Sequence, residues 1–165
     1  MRLATRSGLI VTSLAIAALT VGVLFASASG AKPARAYVHT HADGATVHVI
    51  DHAITDDEIP TGGGKDVKGN ILTFVNPVFD ATDHRRVGHD EGFCTRLDVK
   101  QGIWECLWTT FVEGGQITVE GPFYDTHNSV LSITGGTGAY RNARGEMVLK
   151  SRNGGKEYDL IFKLS

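Results

Sequence analysis

Apolar and polar residues alternate in short segments along most of this chain. The last segment is the clearest, because Tyr158, Leu160 and Phe162 alternate with mostly charged neighbours over residues 157–164. A period of two residues is typical of a β-strand with one buried face. The pattern predicts eight strands, at residues 46–54, 70–79, 91–99, 103–112, 116–121, 128–134, 145–151 and 157–164.

Glycine-rich turns separate these strands, and no window of a dozen residues shows a helical stripe. We predict a further sharp reversal at Gly135, Gly136 and Gly138, since glycine tolerates backbone angles that other residues avoid. Eight strands with short connections favour an all-β fold, an eight-stranded antiparallel β-barrel. A β-sandwich is the competing architecture. A barrel of this size is either filled by side chains or holds one small ligand, and the pattern leaves both open.

The first 36 residues have the layout of an export signal. Arg2 and Arg6 give a positive start, residues 8–26 form an uncharged apolar run, and small residues follow at two cleavage-like sites, 26–28 and 34–36. This order is that of a secretory signal peptide. The alternative is an uncleaved membrane anchor, because the run approaches the roughly 20 residues that span a bilayer. We therefore expect residues 1–36 to be removed, residues 37–165 to form one domain and the protein to be secreted.

The charge balance excludes one class of partner. The chain has 16 basic and 18 acidic residues, and loss of the signal removes four basic ones, which leaves a net charge of about −6. Nucleic-acid-binding domains are normally basic, so we expect no nucleic-acid partner. The remaining chain has no second apolar run of similar length, so we expect no stable membrane insertion after cleavage.

The two cysteines have an informative spacing. Cys94 and Cys106 lie in the third and fourth predicted strands, which are joined by a short loop centred on Lys100. In a hairpin with that centre the two cysteines face each other, close enough for a disulfide, and export supplies an oxidising compartment. A reactive thiol or a metal ligand is the alternative. A single pair without a CxxC motif favours the disulfide.

The strand pattern also indicates which side chains point into the barrel. Val47, Val49 and Asp51 share one face of the first strand, so Asp51 would be a carboxylate in apolar surroundings with a raised pKa, which suits acid–base chemistry. A solvated carboxylate at the barrel end is the alternative. Trp104 and Trp108 share a face of the fourth strand, where they either line an aromatic pocket or fill the core.

Four histidines raise the question of a metal site. They cluster near the start of the domain, but two of them fall on the strand face opposite Asp51, and their spacing matches no familiar zinc motif; the four are His39, His41, His48 and His52. We therefore predict no metal site. The glycine runs lack the Lys-Ser/Thr of a P-loop and no G-x-S-x-G motif occurs, so phosphate chemistry and triad hydrolysis are not expected.

Several glycine-containing motifs carry a family resemblance. VGHDEGF at residues 87–93 and GGTGAYRNARG at residues 135–145 are similar to the V-G-x-x-Q-G-F/Y and GGTGxFxxARG motifs of plant dirigent proteins. VEGPF at residues 119–123 and LSITGG at residues 131–136 resemble the VQGPY and LAVTGG segments of allene oxide cyclases. The two families share one barrel, so the resemblance implies the antiparallel eight-stranded barrel over most of the domain.

The resemblance also implies site residues, position by position. Asp51 and Arg144 match two of the residues with which dirigent proteins guide phenoxy-derived quinone methides, whereas Gly138 or Ala139 stands where that family has a third, acidic residue. The pocket Glu, Asn, Cys and Tyr of allene oxide cyclases correspond in this chain to Val49, Asp51, Cys94 and Phe123.

These matches define the expected function. The protein would be a secreted barrel that binds a hydrophobic or phenolic small molecule and steers its cyclisation or stereoselective coupling, an isomerase-type activity without a cofactor. Asp51 would act as acid or base, Arg144 as a cationic clamp, and Trp104, Trp108 and Phe123 as the apolar wall. For Arg144 the alternative is a structural role, because an arginine between a turn and a strand often only bonds neighbouring carbonyls. A non-catalytic exported binding barrel is the alternative. The resemblance also implies a homotrimer.

Overall fold

The computed structural model describes residues 38–41, 44–63 and 65–165, which contain ten β-strands and no helix. The strands are β1 (Val38–His41), β2 (Gly44–His52), β3 (Asp57–Ile59), β4 (Ile71–Asp80), β5 (Arg86–Asp98), β6 (Ile103–Val112), β7 (Gly115–Tyr124), β8 (Ser129–Gly138), β9 (Gly145–Arg152) and β10 (Glu157–Leu164). The predicted export signal at residues 1–36 lies outside the described residues. Within them, no helix is long and apolar enough to cross a membrane.

Eight of the strands close into a barrel. They follow the order β2, β10, β9, β8, β7, β6, β5, β4, and the pairing of β4 with β2 completes the ring. Every pairing is antiparallel. The short strands β1 and β3 add to the edges of β2 and β4. The all-β, eight-stranded antiparallel barrel is therefore confirmed, and the sandwich is excluded.

The strands extend beyond several of the predicted bounds. β6 and β10 begin and end as predicted, whereas β5 begins at Arg86, five residues early. The predicted reversal at Gly135 to Gly138 is wrong, because these glycines belong to β8 and the chain turns after them. A Cβ atom on Gly136 would overlap the carbonyl oxygens of Gln116 and Tyr140. Glycine is needed there for close backbone approach.

Side chains fill one end of the barrel. Met147 and Phe162 are fully buried there, together with Val47 and Leu131. The loop between β8 and β9 covers this end, because Tyr140 and Ala143 are buried in the core and the Tyr140 hydroxyl donates to the Glu113 carbonyl at 3.3 Å. Toward the other end, where β2 ends and β10 begins, the inward side chains enclose a cavity. The barrel is thus filled at one end and has a cavity of about 70 Å³ toward the other.

The predicted disulfide is confirmed. Cys94 and Cys106 are directly opposite each other on β5 and β6 and form an S–S bond. Such a bond fits an oxidising compartment such as the extracellular space. Both sulfur-bearing residues line the cavity, so the bond joins two strands of the cavity wall.

Candidate functional site

The cavity has a narrow inner chamber and a wider outer one. The inner chamber has a volume of about 70 Å³ and the outer one about 460 Å³. The two adjoin, because five residues line both: Asp56, Leu72, Phe123, Leu149 and Tyr158. A ligand of more than a few atoms would place one end in the inner chamber and the rest in the outer chamber.

Two buried carboxyl groups line the inner chamber. Asp51 at the end of β2 is 7% exposed, and Asp90 on β5 is 2% exposed. Burial raises the pKa of Asp51 to about 7, and the nearby charge of Asp56 adds to the effect. Burial also raises the pKa of Asp90 well above its usual value, with further contributions from Asp51 and Asp56. Among the described residues, Oδ1 of each group has no hydrogen-bond partner.

Asn76 connects these carboxyl groups to the loop over the cavity. It is buried on β4, directly opposite Asp90. Its Oδ1 accepts hydrogen bonds from the backbone N–H groups of Ile54 and Thr55, and its Nδ2 donates to Asp56 Oδ1 at 2.7 Å. The amide therefore fixes the segment after β2 and holds the Asp56 carboxylate at the cavity wall.

Aromatic rings form much of the remaining wall. Phe74 and Trp108 meet edge to face with their ring centroids 6.1 Å apart, and Phe123 and Tyr158 do so at 5.8 Å. A Cβ atom on Gly92 would overlap the Cα and Cβ of Trp108 and the Leu107 carbonyl oxygen, so the glycine allows β6 to approach β5 closely at this point. Burial raises the pKa of Tyr158, and the charges of Asp56, Asp51 and Asp125 raise it further. Tyr158 is therefore a neutral hydrogen-bond donor at physiological pH.

An ion-pair network supports the rim. Arg96 is buried on β5, where it makes two hydrogen bonds to Asp66 at 2.9 and 3.0 Å and one to Asp125 at 2.6 Å. Its guanidinium lies 3.9 Å from the ring centre of Trp104, whose Nε1 donates to Asp125 at 2.9 Å. Burial alone would lower the pKa of Arg96, but the hydrogen bonds to Asp125 and Asp66 outweigh it and the net pKa is raised. Trp104 is thus clamped at the edge of the outer chamber.

Comparison with solved structures agrees with this architecture. The chain is similar to pyocyanin demethylase (23% identity, TM-score 0.61, covering 73% of this chain and 99% of that one). It is also similar to a pterocarpan synthase dirigent protein (17%, TM-score 0.60, 76% and 98%) and to AbnU, an exo-specific intermolecular Diels-Alderase (15%, TM-score 0.58, 72% and 96%). The fold is that of a dirigent-like barrel. No protein-family model matches the chain.

The dirigent-like barrel brings most of the predicted site residues together, with one exception. Asp51, Trp108 and Phe123 line the inner chamber, and Trp104 lines the outer one. Arg144 lies elsewhere: it is exposed and donates to the Ala143 carbonyl at 2.7 Å.

The position of Arg144 follows from the strand register. Gly145 pairs with Leu164 at one end of β10, whereas Asp51 pairs with Tyr158 near the other end. Six residues of strand separate these positions, which corresponds to about 20 Å. Arg144 therefore belongs to the loop that covers the filled end of the barrel, away from Asp51 and the cavity.

Three residues of the site did not emerge from the sequence: Asp90, Asn76 and Tyr158. All three could have been found from the rule that every second residue of a strand points to the same face. Asp90 lies four residues before Cys94 and shares its face, but the third strand was predicted to begin one residue too late to include it. Asn76 shares a strand face with Phe74, and Tyr158 shares one with Leu160.

Of the four clustered histidines, the two whose side chains are described, His48 and His52, lie on the opposite strand face from Asp51. His48 Nε2 lies 2.8 Å from Asp159, and His52 Nε2 lies 2.7 Å from Asp83. His52, Asp83 and Glu157 could together offer three ligand atoms within 4.8 Å of one another. His52 is hydrogen-bonded to Asp83, and Asn153 donates to Glu157. The absence of a metal site stays a prediction.

Proposed function

We propose that this dirigent-like barrel binds a largely apolar small molecule and steers its cyclisation, with Asp51 transferring a proton. The observation that carries the proposal is the pair of buried carboxyl groups, Asp51 and Asp90, on the wall of an aromatic cavity that is closed at its inner end. A carboxyl group with a pKa near 7 can act as acid or base at neutral pH. The filled end of the barrel leaves the mouth as the route for the ligand.

The shape of the cavity supports a positioning role. The inner chamber accepts one end of the ligand, and the ring faces of Trp108 and Phe123 limit how the rest can fold. Holding a flexible precursor in one reactive conformation lowers the entropic cost of ring closure. The named activities of two structural neighbours, a dirigent protein and a Diels-Alderase, support a ring-forming or coupling reaction of this kind.

A screen for ring closure tests the proposal. The protein would be incubated with aromatic and polyene precursors that cyclise slowly by themselves, and products would be separated by chiral chromatography with mass detection. We expect one stereoisomer in excess, and Asp51→Asn should lower the rate by about 10²-fold. Glu105→Gln, on the exposed outer face of β6, is the matched control and should leave the rate unchanged.

The alternative is a passive binding barrel. It would retain a ligand from the panel without changing the products, and Asp51→Asn would then alter affinity alone. Bound ligand with products identical to the uncatalysed mixture for every precursor would favour this reading over catalysis.

We also propose that the protein acts after export. The layout of residues 1–36 and the disulfide support this location. Mass spectrometry of the mature protein from its natural host should show an N-terminus near residue 37. An intact Met1 on the mature protein would contradict it.

A further inference from the structure

Four aspartates line the cavity, and His127 at the outer chamber is the one basic side chain among its described lining residues. Asp51, Asp56 and Asp90 line the inner chamber, and Asp56 and Asp125 line the outer one. Within the described residues, no lysine or arginine lines either chamber. Arg96 stands at the rim, but its guanidinium is already bonded to Asp66 and Asp125.

Two of these carboxyl groups have oxygens that nothing in the described protein satisfies. Oδ1 of Asp51 and Oδ1 of Asp90 are buried without a hydrogen-bond partner. Buried polar groups are almost always paired, because an unpaired one costs free energy. A positively charged ligand would compensate both oxygens electrostatically, whether or not it also donates a hydrogen bond.

The aromatic wall provides a second favourable contact for a cation. Phe74, Trp108, Phe123 and Tyr158 surround the same inner chamber. The faces of such rings attract cations within about 6 Å of the ring centre, and the attraction is stronger where water is excluded. Carboxylates and aromatic faces together favour a flat, positively charged ligand and repel an anionic one.

The geometry points to a ligand that is aromatic and cationic, or that develops positive charge as it reacts, with the charge held between Asp51 and Asp90 in the inner chamber. This inference rests on the proposed function only in placing the ligand in this cavity. It does not require turnover.

Three bicyclic probes of similar size and different charge test it. N-methylquinolinium is the cation, quinoline is neutral at about pH 8, and 2-naphthoate is the anion. Binding to the full chain would be measured by isothermal titration calorimetry. We expect the cation to bind at least about tenfold more tightly than quinoline, and 2-naphthoate to bind most weakly.

Variants assign the preference to the carboxyl groups. Asp90→Asn and Asp51→Asn should each reduce the advantage of the cation over quinoline to about threefold or less, whereas Glu105→Gln should preserve it. Near-UV circular dichroism would verify that each variant is folded. The comparison of probes on the unmodified protein needs no variant, so it decides the inference even if a substitution prevents folding.

The outcomes separate the two proposals. Equal affinity for N-methylquinolinium and quinoline would overturn the inference about charge and leave the proposed function standing. Tighter binding of 2-naphthoate would also overturn it. Failure of all three probes to bind would contradict the cavity as a ligand site, and the proposed function would fall with it.

Discussion

At the scale of single residues, burial determines the chemistry available to this protein. Asp51 and Asp90 are carried by strands whose neighbouring inward residues are apolar, so both carboxyl groups are withdrawn from water. The pKa of Asp51 is about 7 in the folded state, whereas an aspartate in an unfolded chain has a pKa of about 3.9. The contribution of Asp51 to stability is therefore fully present below about pH 4 and is lost as the pH rises through 7.

The difference between the folded and unfolded pKa values of Asp51 predicts how Asp51→Asn changes the pH dependence of stability. The Tm of the unmodified protein should fall more between about pH 5 and pH 8 than that of Asp51→Asn, because the amide does not titrate. The groups facing Asp51 are Asp56, Asp90, Asn76 and Tyr158. Differential scanning calorimetry of both proteins at the two pH values measures it. Parallel pH profiles would show that Asp51 does not carry the raised pKa.

The same titration should be visible in ligand binding. A cation favours the ionised carboxylate, so the affinity for N-methylquinolinium should rise about tenfold between about pH 6 and pH 8. Asp56, Asp90, Asp125, His127 and Tyr158 line the same cavity. Loss of a proton from any of them makes the cavity more negative, so none reverses the direction. Calorimetric titrations at several pH values provide the test, with quinoline above about pH 6.5 as the neutral reference. An affinity that falls as the pH rises would contradict the account.

At the scale of elements, the alternating pattern predicted the strands well, but it predicted poorly which side chains meet in the closed barrel. All eight barrel strands were predicted because a half-buried strand repeats every two residues. The ion-pair partners of Arg96 were not predicted. Asp66 lies in a loop 30 residues earlier in the chain, and only the closed barrel brings it near Arg96. Arg144 was predicted at the site because the motif match fixes its position along the chain but not at which end of the barrel it lies.

The β5–β6 hairpin yields a prediction about the disulfide. Cys94 and Cys106 are separated by 12 residues, and closing so short a loop is worth at most about 3 kcal/mol on the chain-entropy model. Reduction should therefore lower the Tm but leave the barrel folded. Thermal unfolding with and without dithiothreitol measures the change, and the double variant Cys94→Ser with Cys106→Ser should be insensitive to the reagent. An unmodified protein with the same Tm in both conditions would contradict it.

The ion-pair network of Arg96 at the rim yields a prediction about stability. Arg96→Met keeps the apolar stem and removes three charge-assisted hydrogen bonds to Asp66 and Asp125. We expect a loss of about 2–4 kcal/mol in the free energy of unfolding. Chemical denaturation measures it, with Arg141→Met at an exposed position as control. Equal stability of the two variants would show that the network adds little.

At the scale of the whole molecule, the outer surface of the barrel bears on assembly. Val75, Phe93 and Leu107 are 55%, 45% and 39% exposed. Phe93 on β5 is directly opposite Leu107 on β6, and Val75 lies diagonally across from Phe93 on β4. Neighbouring exposed apolar side chains are common where protein surfaces associate. We therefore retain the homotrimer as a prediction.

Sedimentation velocity tests this assembly. The unmodified protein should sediment as a trimer at micromolar concentration, and Phe93→Lys should shift it toward monomer because a buried, unpaired ammonium is costly. Lys150→Ala, at an exposed position on β9, is the control. A monomer in the unmodified protein would count against the homotrimer.

The central claim is that function lies in the carboxyl-lined cavity and not at the loop that carries Arg144. The most direct test is the rate of product formation by Asp51→Asn relative to Arg144→Ala, on whichever precursor the unmodified protein converts. We predict that Asp51→Asn lowers the rate by about 10²-fold and that Arg144→Ala stays close to the unmodified protein. A large loss in Arg144→Ala with an active Asp51→Asn would place the chemistry at the other end of the barrel and contradict the account.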